Sequence, residues 1–178
     1  MKYVWSITGT ASFCILCLCI RHPLSARQLP INPVRYTCDW AFSISNNLNP
    51  SRVVYAVEMD HGGMLKGDNP VYNYMYRKSG VNPRDLTIFE NGKAYGIRSQ
   101  VKENGKRVTI LLQQYPELPI TIRAAGPRVR AYVTLQEKTY QLYMIYVYAK
   151  QQLFDIQVLS VTLILCDPDS GKTVSKRL

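Results

Sequence analysis

The sequence predicts an α+β domain in an exported chain: one helix packed on a mostly antiparallel β-sheet and clasped by one disulfide. Three observations predict it. An Asn-Pro opening and a His-Gly-Gly ending bracket one apolar stripe at helical spacing. The chain that follows is β-branched or alternating and is broken by two Asn-Gly turns. Only two cysteines, one near each end, remain once an apolar N-terminal leader is removed.

Residues 1–26 read as a secretory signal peptide. Lys2 supplies the positive start, residues 13–20 the apolar centre, and Leu24-Ser25-Ala26 the small residue that a signal peptidase needs. The other reading, an uncleaved anchor over residues 3–20, is diluted by Ser6, Thr8, Gly9, Thr10 and Ser12. Cleavage removes Cys14, Cys17 and Cys19. It leaves Cys38 and Cys166, an even pair in an oxidising compartment, which points to one disulfide. A crosslink over so long a loop contributes up to ~4–5 kcal/mol. The expectation is a secreted protein with no integral membrane association after cleavage, and residues 27–178 form a single domain.

Charge narrows the partners. Lys2 and Arg21 leave with the leader, which lowers the formal charge from +10 to +8. A surplus of this size on one domain favours polyanions, nucleic acid or an anionic surface, although charge also serves plain solubility. The basic residues, among them Arg98, Lys102, Lys106, Arg107, Arg123, Arg128 and Arg130, are scattered and form no run.

In chain order, residues 27–35 carry Pro30 and Pro33 and read as an extended lead-in. A helix is expected between Asn49-Pro50 and His61-Gly62-Gly63, with Val53, Val54 and Val57 as its apolar stripe. Glu90-Asn91-Gly92-Lys93 and Glu103-Asn104-Gly105-Lys106 are hairpin signals. Strands follow at residues 128–136, 140–149 and 156–166. The segment 140–149 is apolar on both faces, as in a covered central strand or an interface. Residues 167–178 read as a solvated tail. Its Gly171-Lys172-Thr173 lacks the first glycine of a phosphate loop, and its Asp167-Pro168-Asp169 lacks the remaining ligands of a calcium loop.

No metal site and no cofactor are expected. His22 leaves with the leader, so His61 is the last imidazole, and its position at the predicted helix end suits a dipole partner better than a catalyst. No Ser-His-Asp or Cys-His triad assembles around it.

Tyr36-Thr37-Cys38, one helix, a sheet and a late cysteine resemble the small guanyl-preferring fungal ribonucleases. With the leader, they look even more like the ribonuclease-like secreted effectors of powdery mildew fungi. The resemblance implies a microbial-ribonuclease-like fold with Cys38 paired to Cys166. In Asn69-Pro70-Val71-Tyr72-Asn73-Tyr74, Val71 stands where the family has a catalytic histidine. In Gln114-Tyr115-Pro116, Gln114 replaces the glutamate. Gly126-Pro127-Arg128 keeps the arginine, and no late histidine exists. Valine and glutamine cannot exchange protons, so the resemblance implies a scaffold that does not cut RNA. Arg128, Gln114, Tyr72 and Tyr115 would line the former cleft and hold RNA. The implied function is a secreted non-catalytic effector, a virulence protein carried into host cells that binds host RNA, a ribosome-associated target or a host protein. Two alternatives stand beside it. One is an active secreted ribonuclease using His61 and Glu117. The other is an extracellular protein-binding or inhibitor domain that presents the tyrosine-rich strand at residues 140–148.

Overall fold

The structure, a computed structural model, describes residues 40–76, 83–125, 128–153 and 155–178. The leader, the lead-in and Tyr36-Thr37-Cys38 lie outside the described residues, as do Gly126 and Pro127. The strands in chain order are β1 (Trp40–Asn46), β2 (Arg52–Val57), β3 (Val71–Tyr76), β4 (Arg84–Asp85), β5 (Ile97–Glu103) and β6 (Arg107–Leu112). After them come β7 (Ile120–Ala125), β8 (Arg128–Leu135), β9 (Lys138–Gln151), β10 (Ile156–Cys166) and β11 (Thr173–Arg177). A single helical turn, α1 (Ile88–Glu90), continues into a wider turn over Asn91–Tyr95 and stands before β5.

All eleven strands belong to one curled sheet with the order β4-β3-β2-β1-β9-β8-β7-β6-β5, and the β10–β11 hairpin lies along the other edge of β9. Strand β9 is the fork. Residues 138–142 pair antiparallel with β8, and from Met144 onward the same edge pairs parallel with β1. The wings on either side of the fork curl toward each other and share one core. Phe42 stacks on Tyr55 with ring centroids 4.4 Å apart, and Ile110, Ile120, Ile122, Leu142, Leu163 and Leu165 complete the centre. The two-sided apolar pattern of β9 follows from this fork. Leu165 pairs with Leu142 and Ile164 with Met144, so Tyr143 is an extra residue, a bulge. The bulge flips the side-chain parity, so Leu142 and Ile145 both reach the core.

Where the wings meet, side chains complete the seam. The Gln100 amide donates to Val71 O at 2.8 Å and accepts from Val71 N at 3.1 Å, replacing one rung of a ladder. Lys102 Nζ donates to Leu65 O and Gly67 O at 3.1 and 2.7 Å. The Tyr95 carbonyl accepts from Tyr55 Oη at 2.6 Å and from Asn73 Nδ2 at 2.7 Å, which fixes the turn before β5 against β2 and β3. Burial pushes the Tyr55 phenol up, so it remains a neutral donor.

The predicted helix-on-sheet α+β class is therefore corrected to a mostly β fold, and the ribonuclease-like arrangement that the resemblance implied is absent. Residues 52–57 are β2 instead of a helix. The run Val53-Val54-Tyr55-Ala56-Val57 is buried on both faces, and β-branched residues favour the pleated form once neighbours cover both sides. Asn49 caps no helix: its Oδ1 accepts from Ser51 N at 2.9 Å in a local turn that leads into β2. The second Asn-Gly signal is a hairpin turn, with φ of 50° at Asn104 and 64° at Gly105. The first is not. Thr87 and Glu90 form a capping box, and the Glu90 carboxylate accepts from Nη1 and Nη2 of Arg84 at 2.8 and 2.6 Å, which commits this stretch to a helical turn.

The tail is corrected as well. Residues 167–172 turn the chain into β11, with Asp167 Oδ1 accepting from Asp169 N and Ser170 N and Gly171 at φ 66°. Lys138 bridges Asp167 and Asp169 at 2.9 and 2.7 Å. The predicted disulfide is not formed: Cys166 is a free, half-buried thiol, and Cys38 lies outside the described residues.

Candidate nucleic-acid interface

Alternation on β6, β7 and β8 sends Val108, Ile110, Ile120, Ile122, Val129, Ala131 and Val133 into the core. The opposite parity faces solvent. Register then aligns what sequence keeps apart. Arg107 pairs with Arg123, and Arg123 pairs with Arg130, giving three arginines in one row across three adjacent strands. The next row on the same face runs Val101, Thr109, Thr121, Tyr132, Gln141, Cys166 and Thr173. Its Thr109 and Thr121 hydroxyls are 3.3 Å apart. Arg128 stands two residues before Arg130 on β8 with the same parity and is exposed.

Like charges directly opposite each other on neighbouring strands are destabilising, and folding alone would select an opposite pair. Relief on this face is slight. Glu103 meets Arg107 Nε at 3.4 Å, both half-exposed, a pair worth ~0–1 kcal/mol. No described acidic side chain forms an ion pair with Arg123, Arg128 or Arg130. The Arg123 guanidinium lies 5.1 Å from the centroid of the Tyr132 ring, a cation–π contact between neighbouring strands. The bulged Tyr143 closes the row beside Arg130. The nearby Cys166 thiol pushes the phenol up, while the Arg130 guanidinium pulls the other way. This face offers fixed cations and aromatic rings on a rigid sheet, the components of a platform for single-stranded nucleic acid.

The residues expected to line a cleft are not gathered in one place. Val71 is buried in β3 with its backbone bonded to Gln100. Tyr72 is half-buried on the other face of β3, packed against Val54, Ala56 and Tyr74. Gln114 and Tyr115 lie in the loop between β6 and β7, where Gln114 Nε2 donates to Lys93 O. Arg128 is at the far end of β7 from that loop, a separation of roughly 20 Å at strand rise. His61 occupies the turn between β2 and β3, whose Leu65 N bonds Gly105 O beside the start of β6. Glu117 lies past the other end of β6, so an acid–base pair from these two is not assembled. Among the described residues no three His, Cys, Asp or Glu side chains are grouped to hold a metal ion.

Arg107, Arg123, Arg130, Tyr132 and Tyr143 were not singled out as site residues by the sequence. One signal was available: Arg128-Val129-Arg130-Ala131-Tyr132-Val133 alternates, so both arginines and the tyrosine share a face. The model of a domain of unknown function, DUF4833, matches residues 42–177. The chain belongs to that family. No curated protein and no solved structure matches it. The DUF4833 span begins within β1 and ends within β11, so the fork, the seam and the whole arginine row belong to the family domain.

Proposed function

We propose that this DUF4833 domain is a non-catalytic binding domain of an exported chain that holds RNA on the exposed face of β6–β8. The observation that carries the reading is Arg123 opposite Arg130, a like-charge pair that costs stability and has no described acid to relieve it. Phosphate oxygens would satisfy both guanidiniums, and arginine is suited to such contacts. The formal charge of the chain favours the same partner. Export rests on the signal-peptide pattern of residues 1–26. The effector expectation depended on the ribonuclease scaffold and is not part of this reading.

The test is a titration of labelled single-stranded RNA with the protein, followed by electrophoresis of the recovered RNA. Binding of intact RNA that is lost in an Arg123→Ala, Arg130→Ala double variant supports the reading. Cleavage, or affinity indifferent to both substitutions, contradicts it.

A protein-binding reading has one observation in its favour. The β9–β10 hairpin extends beyond β1 and exposes Tyr148, Ile156, Val158 and Leu159. Partner binding that survives high salt and is lost in Val158→Lys would favour it.

A further inference from the structure

The two aromatic residues of the arginine face differ in what they have above them. The Tyr132 ring carries the Arg123 guanidinium. Tyr143 is 43% exposed, and among the described residues no ring or cation is stacked on it. Three features fix its place. It is the extra residue of the β9 bulge, which projects it from the regular pleat. It marks the point where β9 passes from β8 to β1, so rigid strands flank it. Its register, one step beyond the Ala131–Leu142 pair, sets it beside Arg130 at the end of the arginine row.

We propose that Tyr143 is a base-stacking site that makes the arginine face selective for single-stranded over double-stranded RNA. The inference rests on the RNA-binding reading and deepens it. Arg123 and Arg130 would hold successive phosphates, and the base next to them would lie on the Tyr143 ring. A base in a duplex is covered by its neighbours and cannot stack on an aromatic of a sheet face, whereas an unpaired base can. Stacking tolerates any base, so the site selects strandedness and not sequence.

The experiment compares Tyr143→Ala, Tyr143→Phe and Arg130→Ala with the unaltered protein, using a mixed-sequence single strand and the same sequence as a duplex over a series of salt concentrations. Stacking releases no counterion, so Tyr143→Ala is expected to lose about 10- to 100-fold in single-strand affinity with its salt slope unchanged. Tyr143→Phe, which keeps the ring, is expected to retain single-strand affinity. Arg130→Ala is expected to reduce the slope. Duplex affinity is expected to be weaker throughout and indifferent to Tyr143. Equal affinity for both forms, or a Tyr143→Ala effect confined to the salt slope, overturns the stacking assignment and leaves RNA binding standing. Absence of binding to either form overturns both.

Discussion

Arg123 on β7 and Arg130 on β8 are cross-strand partners on an exposed sheet face, and no described carboxylate neutralises either. The arrangement sets stability against binding. Arg130→Glu creates an opposite-charge pair with Arg123 and is expected to stabilise the fold by ~0.2–1 kcal/mol. The same substitution places a negative charge in the row and is expected to abolish RNA affinity. Thermal denaturation and RNA titration of one variant check both halves.

Acid sensitivity is expected from the turn before β5. Hydrogen bonds from the Arg84 guanidinium hold the Glu90 carboxyl down to about 2, against an ordinary 4.5. A lowered folded value means that the stabilisation is complete above pH 4.5 and fades as pH falls toward 2. The pair is partly exposed, with side-chain exposures of 34% and 23%, so the contribution after screening is about 1 kcal/mol. In Glu90→Gln this part of the acid slope is expected to vanish and neutral stability to fall by that amount. Chemical denaturation at a series of pH values measures it.

The seam depends on one side chain. Gln100→Ala removes both bonds to Val71 and leaves a half-buried N–H and C=O without those partners. The expected cost is about 1–3 kcal/mol, with faster hydrogen exchange at the Val71 amide.

Gly96 is required by close approach. A Cβ there would collide with the Asn91 carbonyl oxygen, which belongs to the backbone and cannot swing aside. Gly96→Ala is expected to displace the turn over Asn91–Tyr95, costing roughly 1–3 kcal/mol. Loss of the Tyr55 bond to Tyr95 O should accompany it, read as a lowered unfolding midpoint.

Parts of this molecule were legible from sequence for definite reasons. The turn at Asn104-Gly105 announces itself because two adjacent positive φ values need those residue types. Strand β10 spans the residues its β-branched run predicts. The run at residues 53–57 is ambiguous in sequence because a continuous apolar stretch fits a buried helix and a buried strand equally well, and tertiary cover decides. Thr87 and Glu90 overrode the first Asn-Gly signal through a cap and an ion pair that turn chemistry does not encode. The arginine row was illegible for a geometric reason. Arg107, Arg123 and Arg130 are distant in sequence, and only the registers of β6 with β7 and of β7 with β8 make them neighbours.

The most direct test of the phosphate-binding row is the slope of log affinity against log salt for single-stranded RNA. Each phosphate neutralised adds about −0.7 to that slope for a single strand. The protein is expected to show a slope of at least about −2, for three arginines, and Arg107→Ala, Arg123→Ala and Arg130→Ala each to make it shallower by about 0.7. A salt-independent affinity, or slopes unchanged by all three substitutions, would contradict the account.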